Sequence, residues 1–102
     1  MKRVYVCSRY RGDVVANTAR AVALCRAIAL SGDAPLAPHL FLPRALDDAV
    51  ADERRLGIAA ELAWLDVADE VLVAGPVSEG MRREIAAASG IGIPIRFEEG
   101  GW

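Results

Sequence analysis

The sequence predicts a three-layer α/β domain, Rossmann-like or flavodoxin-like, with about four parallel strands flanked by three helices. Short β-prone runs alternate with longer stretches of helical periodicity in the order βαβαβαβ, and connections of that length imply right-handed crossovers between parallel strands. Glu70-Val71-Leu72-Val73-Ala74 is a nearly unbroken apolar run, the pattern a strand needs when both faces of its sheet are covered. The chain has 102 residues, enough for one core and too few for two. Residues 1–102 are therefore read as a single domain.

The first strand is Val4-Tyr5-Val6-Cys7, followed by the polar loop Ser8-Arg9-Tyr10-Arg11-Gly12, which a glycine closes. Asp13 is placed to cap a helix in which Val14, Thr18, Ala21, Cys25 and Ile28 recur at spacings of four and three, with Gly32 as its stop. A short strand around Leu36-Ala37 gives way to an extended loop, because Pro35, Pro38 and Pro43 punctuate this stretch. Asp47 or Asp48 can cap a second helix reaching about Val67, with Leu56, Ala60, Ala63 and Val67 as its apolar stripe and Arg54, Gly57, Ile58 and Glu61 on the other side. After the Glu70–Ala74 strand and its stop at Gly75-Pro76, Ser78 caps a third helix. That helix buries Met81, Ile85 and Ala88 and ends near Gly90, and Ile93 to Phe97 supply a last strand.

Composition narrows the function classes. Hydrophobic residues at 54% and charged residues at 25% exclude a disordered chain. Twelve Lys and Arg against 14 Asp and Glu give a net charge of -2, so no overall attraction to a nucleic-acid polymer or a membrane surface is expected. No apolar stretch approaches the roughly 20 residues of a membrane span. The N-terminus runs straight into the first strand, so a cytoplasmic protein without a signal peptide is expected. Cys7 and Cys25 form no CxxC and have one histidine for company. Neither a disulfide framework nor a zinc site is supported, no metal or cofactor is expected, and both thiols are read as reduced core residues.

In a sheet of this kind ligands sit beyond the carboxyl ends of the strands, where Ser8 to Gly12, the loop around His39 and Gly75 to Gly80 converge. Arg9 and Arg11 flank Tyr10 just before a helix N-terminus, an arrangement that suits a phosphate and equally suits two solvated arginines. Gly90-Ile91-Gly92 precedes a strand and lacks a third glycine, so it is not a dinucleotide fingerprint. Glu84 lies a turn and a half inside the third helix. With Gly80 bearing no side chain, Glu84 can point back to the strand ends, although a helical glutamate usually faces solvent. Glu61 interrupts an apolar run; it is either partly desolvated, with a raised pKa, or exposed and paired with Arg54 or a neighbouring side chain. His39 is read as a loop-rigidifying hydrogen-bond partner, Tyr5 and Trp64 as core aromatics, and Trp102 as a tail or a contact with a partner chain.

Taken in order, these segments resemble the nucleoside 2-deoxyribosyltransferase superfamily, and within it the deoxynucleoside 5'-monophosphate N-glycosidases. Val4 to Gly12 is similar to that branch's first strand and phosphate loop, and Leu36-Ala37-Pro38-His39 to its second strand and following histidine. Glu61 to Asp69 resembles the helix with the family's second catalytic carboxylate. Ser78, Gly80 and Glu84 match its Ser-x-Gly and, four residues on, its nucleophilic glutamate. The resemblance implies that Glu84 attacks the anomeric carbon of a nucleoside or nucleotide, Glu61 orients the sugar or shuttles a proton, and Tyr5 holds Glu84. It further implies that Ser8, Arg9, Arg11, Gly12, His39, Ser78 and Gly80 bind substrate or its phosphate. A nearby hydroxyl and the helix N-terminus are expected to keep Glu84 ionised near pH 7.

The sequence departs from that pattern in three places. The loop from Gly75 to Ser78 is two residues shorter, Glu61 stands where the family has an aspartate, and the family's fifth strand and subunit-completing segment have no counterpart. In that outline the chain is similar to small bacterial and phage members. A nucleoside or nucleotide ligand is implied, with a homodimer or higher homo-oligomer formed through open sheet edges. A nucleotide-binding module without turnover and a structural or interaction domain stay open as alternatives.

Overall fold

The computed structural model describes residues 1–98; Trp102 lies outside the described residues. Four strands, β1 (Arg3–Cys7), β2 (Ala34–Leu36), β3 (Glu70–Val73) and β4 (Ile95–Phe97), form one parallel sheet in the order β2-β1-β3-β4. Alternation along β1 and β3 builds two apolar layers. Val4, Val6 and Leu72 pack with Ile28, Leu24 and Cys25 on one face, while Tyr5, Cys7, Val71 and Val73 pack with Leu65, Ala68, Met81 and Ala88 on the other. Both central strands are thus covered on both sides, which is why their sequences are unbroken apolar runs rather than alternating ones.

The first face is covered by α1 (Val14–Leu30), whose start is fixed by Asp13 Oδ1 accepting the Ala16 N–H at 3.1 Å. Its buried positions are Asn17, Ala21 and Ile28, so the stripe is turned slightly from the expected one and leaves Val14 exposed. The opposite face holds α3 (Ala51–Leu65) and α4 (Glu79–Gly90). Ser78 Oγ accepts the Met81 N–H at 3.3 Å, and Met81 and Ala88 are buried as the periodicity predicts. Among the described residues no helix is long and apolar enough to cross a membrane.

Three expectations change. The stretch after β2 is not an extended loop: Pro38–Leu40 forms a 3₁₀ turn and Leu42–Ala45 a short helix, α2, with Pro38 and Pro43 in their first two positions, where a missing N–H costs no helical hydrogen bond. The helix α3 begins after Val50 rather than at Asp47 or Asp48. Asp47 instead builds the preceding turn, its Oδ1 accepting from Ala49 N–H and its own N–H donating to Glu53 Oε1, both at 3.0 Å.

The third change is one of orientation. Leu65 and Ala68 are buried against the sheet, while Leu56, Trp64 and Val67 stand 52%, 46% and 50% exposed. The stripe expected to face the core faces outward, and Trp64 is not a core aromatic. Apolar residues occupy both sides of this helix, so periodicity alone does not choose between them, and packing of Leu62 and Leu65 on the Tyr5 layer does. The face carrying Glu61 is consequently the inward one.

At the N-terminal end of the sheet, Glu70 accepts from Lys2 Nζ and Arg96 Nε, each at 2.9 Å, and Arg3 N–H donates to Asp69 Oδ2 at 2.8 Å. These contacts tie the starts of β1, β3 and β4 together.

Candidate active site

The C-terminal end of the sheet opens into a cleft of about 650 Å³. Residues 8–12, His39 with α2, and residues 77–84 form three of its walls, and α3 supplies a fourth through Arg54, Gly57, Ile58 and Glu61. Ser8, Arg9, Arg11, Gly12, His39, Glu61, Ser78, Gly80 and Glu84 all line it. Tyr5 lies beneath the floor, 1% exposed.

The first wall is held by short polar contacts. Buried Ser8 Oγ and His39 Nε2 share a hydrogen bond of 2.9 Å, and burial lowers the His39 pKa to about 4. The ring is therefore neutral near pH 7 and acts as a brace between β1 and the 3₁₀ turn. Gly12 takes φ +98°, a backbone conformation that L side chains rarely adopt. Arg9 Nε donates to the Pro76 carbonyl at 3.1 Å, and Arg11 forms an ion pair with Asp48 across the cleft mouth. Both arginines expected to meet a phosphate are thus already engaged, and an anionic ligand would compete with Asp48 for Arg11.

The other feature of the cleft is a pair of carboxylates. Glu61 from α3 and Glu84 from α4 lie close enough to shift each other's ionisation, and the Tyr5 hydroxyl and Cys7 thiol lie near the same Glu84 carboxylate. Burial first, and then the charge of Glu61, push the Glu84 pKa up to about 8. Burial also raises Glu61, against the opposing pull of Glu84's hydrogen bond and the Arg83 guanidinium. Tyr5 and Cys7 are pushed up by burial and by the nearby Glu84 charge.

The expectation that Glu84 stays ionised near pH 7 is therefore corrected for the ligand-free protein. The nearby Tyr5 hydroxyl and Cys7 thiol favour its charge, but desolvation and the charge of Glu61 outweigh them. Two such groups do not both ionise cheaply, and Glu84 is the one held protonated near neutral pH.

Three residues escaped the sequence reading. Cys7, read as a core thiol, is fully buried, donates to the Met81 carbonyl at 3.8 Å and touches Glu84. Its position two residues after Tyr5 places both side chains on the same sheet face. Asn17 Nδ2 donates to the Tyr10 and Arg11 carbonyls at 3.3 and 3.0 Å, pinning the loop before α1; a buried amide on an otherwise apolar helix stripe was its signal. Arg83 lowers Glu61, where the sequence reading offered Arg54 or a neighbouring side chain as the partner of an exposed Glu61. The adjacency of Arg83 to Glu84 was visible, its facing Glu61 was not.

The fold has solved counterparts. The 2-deoxyribosyltransferase of the psychrotolerant bacterium Bacillus psychrosaccharolyticus superposes with TM-score 0.71 at 16% identity, covering 93% of this chain and 70% of its own. The 2-deoxyribosyltransferase of Leishmania mexicana gives TM-score 0.66 at 14% identity, covering 95% of this chain and 63% of its own. At such identities the likeness is one of fold, and the chain spans about two thirds of these enzymes. No curated protein matches the sequence. A family model matches residues 2–98, nearly the whole chain, and the protein belongs to that family, described as a domain of unknown function, DUF7768.

Proposed function

We propose that the protein cleaves or exchanges the N-glycosidic bond of a nucleoside or nucleoside 5'-monophosphate, with Glu84 as nucleophile and Glu61 as its proton partner. The observation that carries this reading is that Glu61 of α3 and Glu84 of α4 line one cleft at the carboxyl end of a parallel sheet, close enough for each to shift the other's ionisation. The shared 2-deoxyribosyltransferase fold supports it.

A retaining displacement needs an ionised nucleophile on one face of the sugar and a proton for the departing base. The pair supplies both from one proton. As the C1'–N bond breaks, the shared proton passes through Glu61 to the base nitrogen, and the Glu84 oxygen so freed forms a bond to C1'. The Tyr5 hydroxyl and Cys7 thiol hydrogen-bond the ionised Glu84 and fix its direction. Water or a second base, giving up a proton to Glu61, then attacks C1', and Glu84 leaves as the carboxylate, so the pair regains its one proton. Ser8, Arg9, Arg11, Gly12, His39, Ser78 and Gly80 shape the sugar and 5' side of the cleft, with Arg11 exchanging Asp48 for a phosphate where one is present.

The reading is tested by incubating the full chain with a panel of nucleosides and nucleoside 5'-monophosphates, with and without a second free base, and measuring released and exchanged base by chromatography. Base release lost in Glu84→Gln is expected. Release that Glu84→Gln leaves untouched removes the nucleophile assignment. Thermal stabilisation by these ligands with no release from the wild type identifies a binding module instead.

A further inference from the structure

The inward face of α3 builds the cleft, whereas its outward face has no partner among the described residues. Leu56, Trp64 and Val67 are about half exposed there, with Ala59 and Ala63 exposed between them. Leu56, Ala60, Ala63 and Val67 recur at spacings of four, three and four, the spacing of a helix–helix seam. Arg55 and Asp66 lie three turns apart on one flank of that seam. Arg55 is held only loosely within its own helix, 3.5 Å from Asp52, with both side chains largely exposed.

We infer that this stripe is a self-association surface, on which two copies pair α3 against α3 in antiparallel fashion about a two-fold axis level with the middle of the Ala60–Ala63 segment. The sequence of the stripe is self-complementary under that reversal. Leu56 meets Val67 of the second copy, the small Ala60 meets Ala63 and lets the backbones approach, and the Trp64 ring falls on the small segment Ala59–Ala60. Arg55 of each copy meets Asp66 of the other, so opposite charges close the contact twice.

Other faces of the molecule fit a second copy less well. The outer side of α1 also exposes Val15, Val22 and Leu30, but this helix carries Arg20 and Arg26 and no acidic residue, so a two-fold pairing would set like charges together. The edge strands, expected from sequence to mediate dimerisation, are three residues each, and β2 contains Pro35, which blunts an edge against strand addition. A 15-residue helix is about 22 Å long, giving a contact at the small end of stable interfaces and hence a reversible dimer. Nothing in this pairing depends on what the cleft binds.

Sedimentation of the full chain over micromolar to submillimolar concentration tests it. The wild type is expected to pass from monomer to dimer, and Leu56→Asp to stay monomeric with an unchanged far-UV spectrum. Arg55→Glu and Asp66→Arg are each expected to weaken the dimer about tenfold, and their combination to restore it. The two Ala63 positions lie about 4.5 Å apart along the paired axes, so Ala63→Cys in a Cys25→Ser background is expected to oxidise to a covalent dimer. A wild type that is monomeric throughout, a dimer that survives Leu56→Asp, or a combined charge exchange that fails to restore association overturns the inference.

Discussion

At the N-terminal end of the sheet Glu70 lies between Lys2 and Arg96, accepting a 2.9 Å hydrogen bond from each, and its pKa is drawn below the ordinary carboxylate value, the Lys2 bond contributing most. At the C-terminal end Glu84 faces Glu61, and its pKa rises to about 8. Both residues touch the same short sheet; they differ in what surrounds the charge. Glu70 is ionised among cations and helps join three strands, whereas Glu84 is partly buried beside another acid and makes folding harder in its ionised form. A carboxylate that destabilises its own fold, in a cleft and within reach of a tyrosine and a thiol, is what a site for proton and group transfer looks like.

The largest way to test that contrast is to neutralise each end in turn. Glu84→Gln is expected to abolish base release, by a factor on the order of 10⁴ or more, while raising the melting temperature at pH 7 to 8, since the amide needs no proton to be buried. Glu70→Gln is expected to leave turnover within about twofold and to lower stability slightly, as an ion pair at the surface contributes little. Should Glu84→Gln melt lower than the wild type at pH 8, the two ends do not differ in the way described.

Removing the Tyr5 hydroxyl comes next in size. Tyr5→Phe is expected to reduce kcat about 10- to 100-fold with KM nearly constant. The hydroxyl's hydrogen bond pulls the Glu84 pKa down, so its loss should move the basic side of the pH–rate profile to still higher pH. A drop in rate with an unmoved profile would leave Tyr5 a packing residue only.

Stability against pH sharpens the comparison without any substrate. Glu84 ionises near the ordinary glutamate value of 4.5 when unfolded and at about 8 when folded, so the native state binds more protons between these values. Stability then falls as pH rises through that window, by up to about 1.4 kcal/mol per pH unit for one proton. His39 has the opposite sign: its folded pKa of about 4 lies under the unfolded 6.5, so stability is lost as pH falls below 6.5. The two slopes oppose each other between 4.5 and 6.5, and from 6.5 to 8 the slope that remains is that of Glu84 together with Glu61, which burial raises as well. Glu70, lowered when folded, contributes stability that disappears as pH drops below the ordinary carboxylate range. Urea unfolding from pH 6.5 to 8 is expected to show a negative slope that Glu84→Gln flattens and Glu70→Gln leaves alone.

Much of this architecture was legible beforehand, and the reasons are local. The strand run at Val71–Val73, the Asp13 and Ser78 caps and the Met81–Ala88 stripe are each set by neighbouring residues, so one sequence suffices to read them. The orientation of α3 was not legible, because Leu56, Ala60, Ala63 and Val67 make a cleaner stripe than Leu62, Leu65 and Ala68, and only the packed sheet decides between them. The candidate site divides the same way. Its residues could be gathered by their order along the chain and their resemblance to a known family, but the protonation of Glu84 depends on how closely Glu61 approaches and how much water is excluded. Arg83 and Cys7 entered only through that three-dimensional contact.

The smallest expected effect lies at Gly80, where the cleft wall and the fold can be separated. A Cβ placed on Gly80 meets no heavy atom within 4 Å, and the residue has no positive φ, so Gly80→Ala should fold normally; replacing a helical glycine should stabilise α4 by about 0.5–1 kcal/mol. Gly80 and Glu84 both line the cleft, so under the proposed function the added methyl narrows the space available to the sugar. KM is therefore expected to rise several-fold, with a smaller change in kcat, while the melting temperature stays level or rises. Gly80→Val should deepen the KM effect in proportion to volume. If both variants bind and turn over substrate as the wild type does, the sugar does not pass Gly80, and the space between the two glutamates is reached from the Arg54 side of the cleft instead.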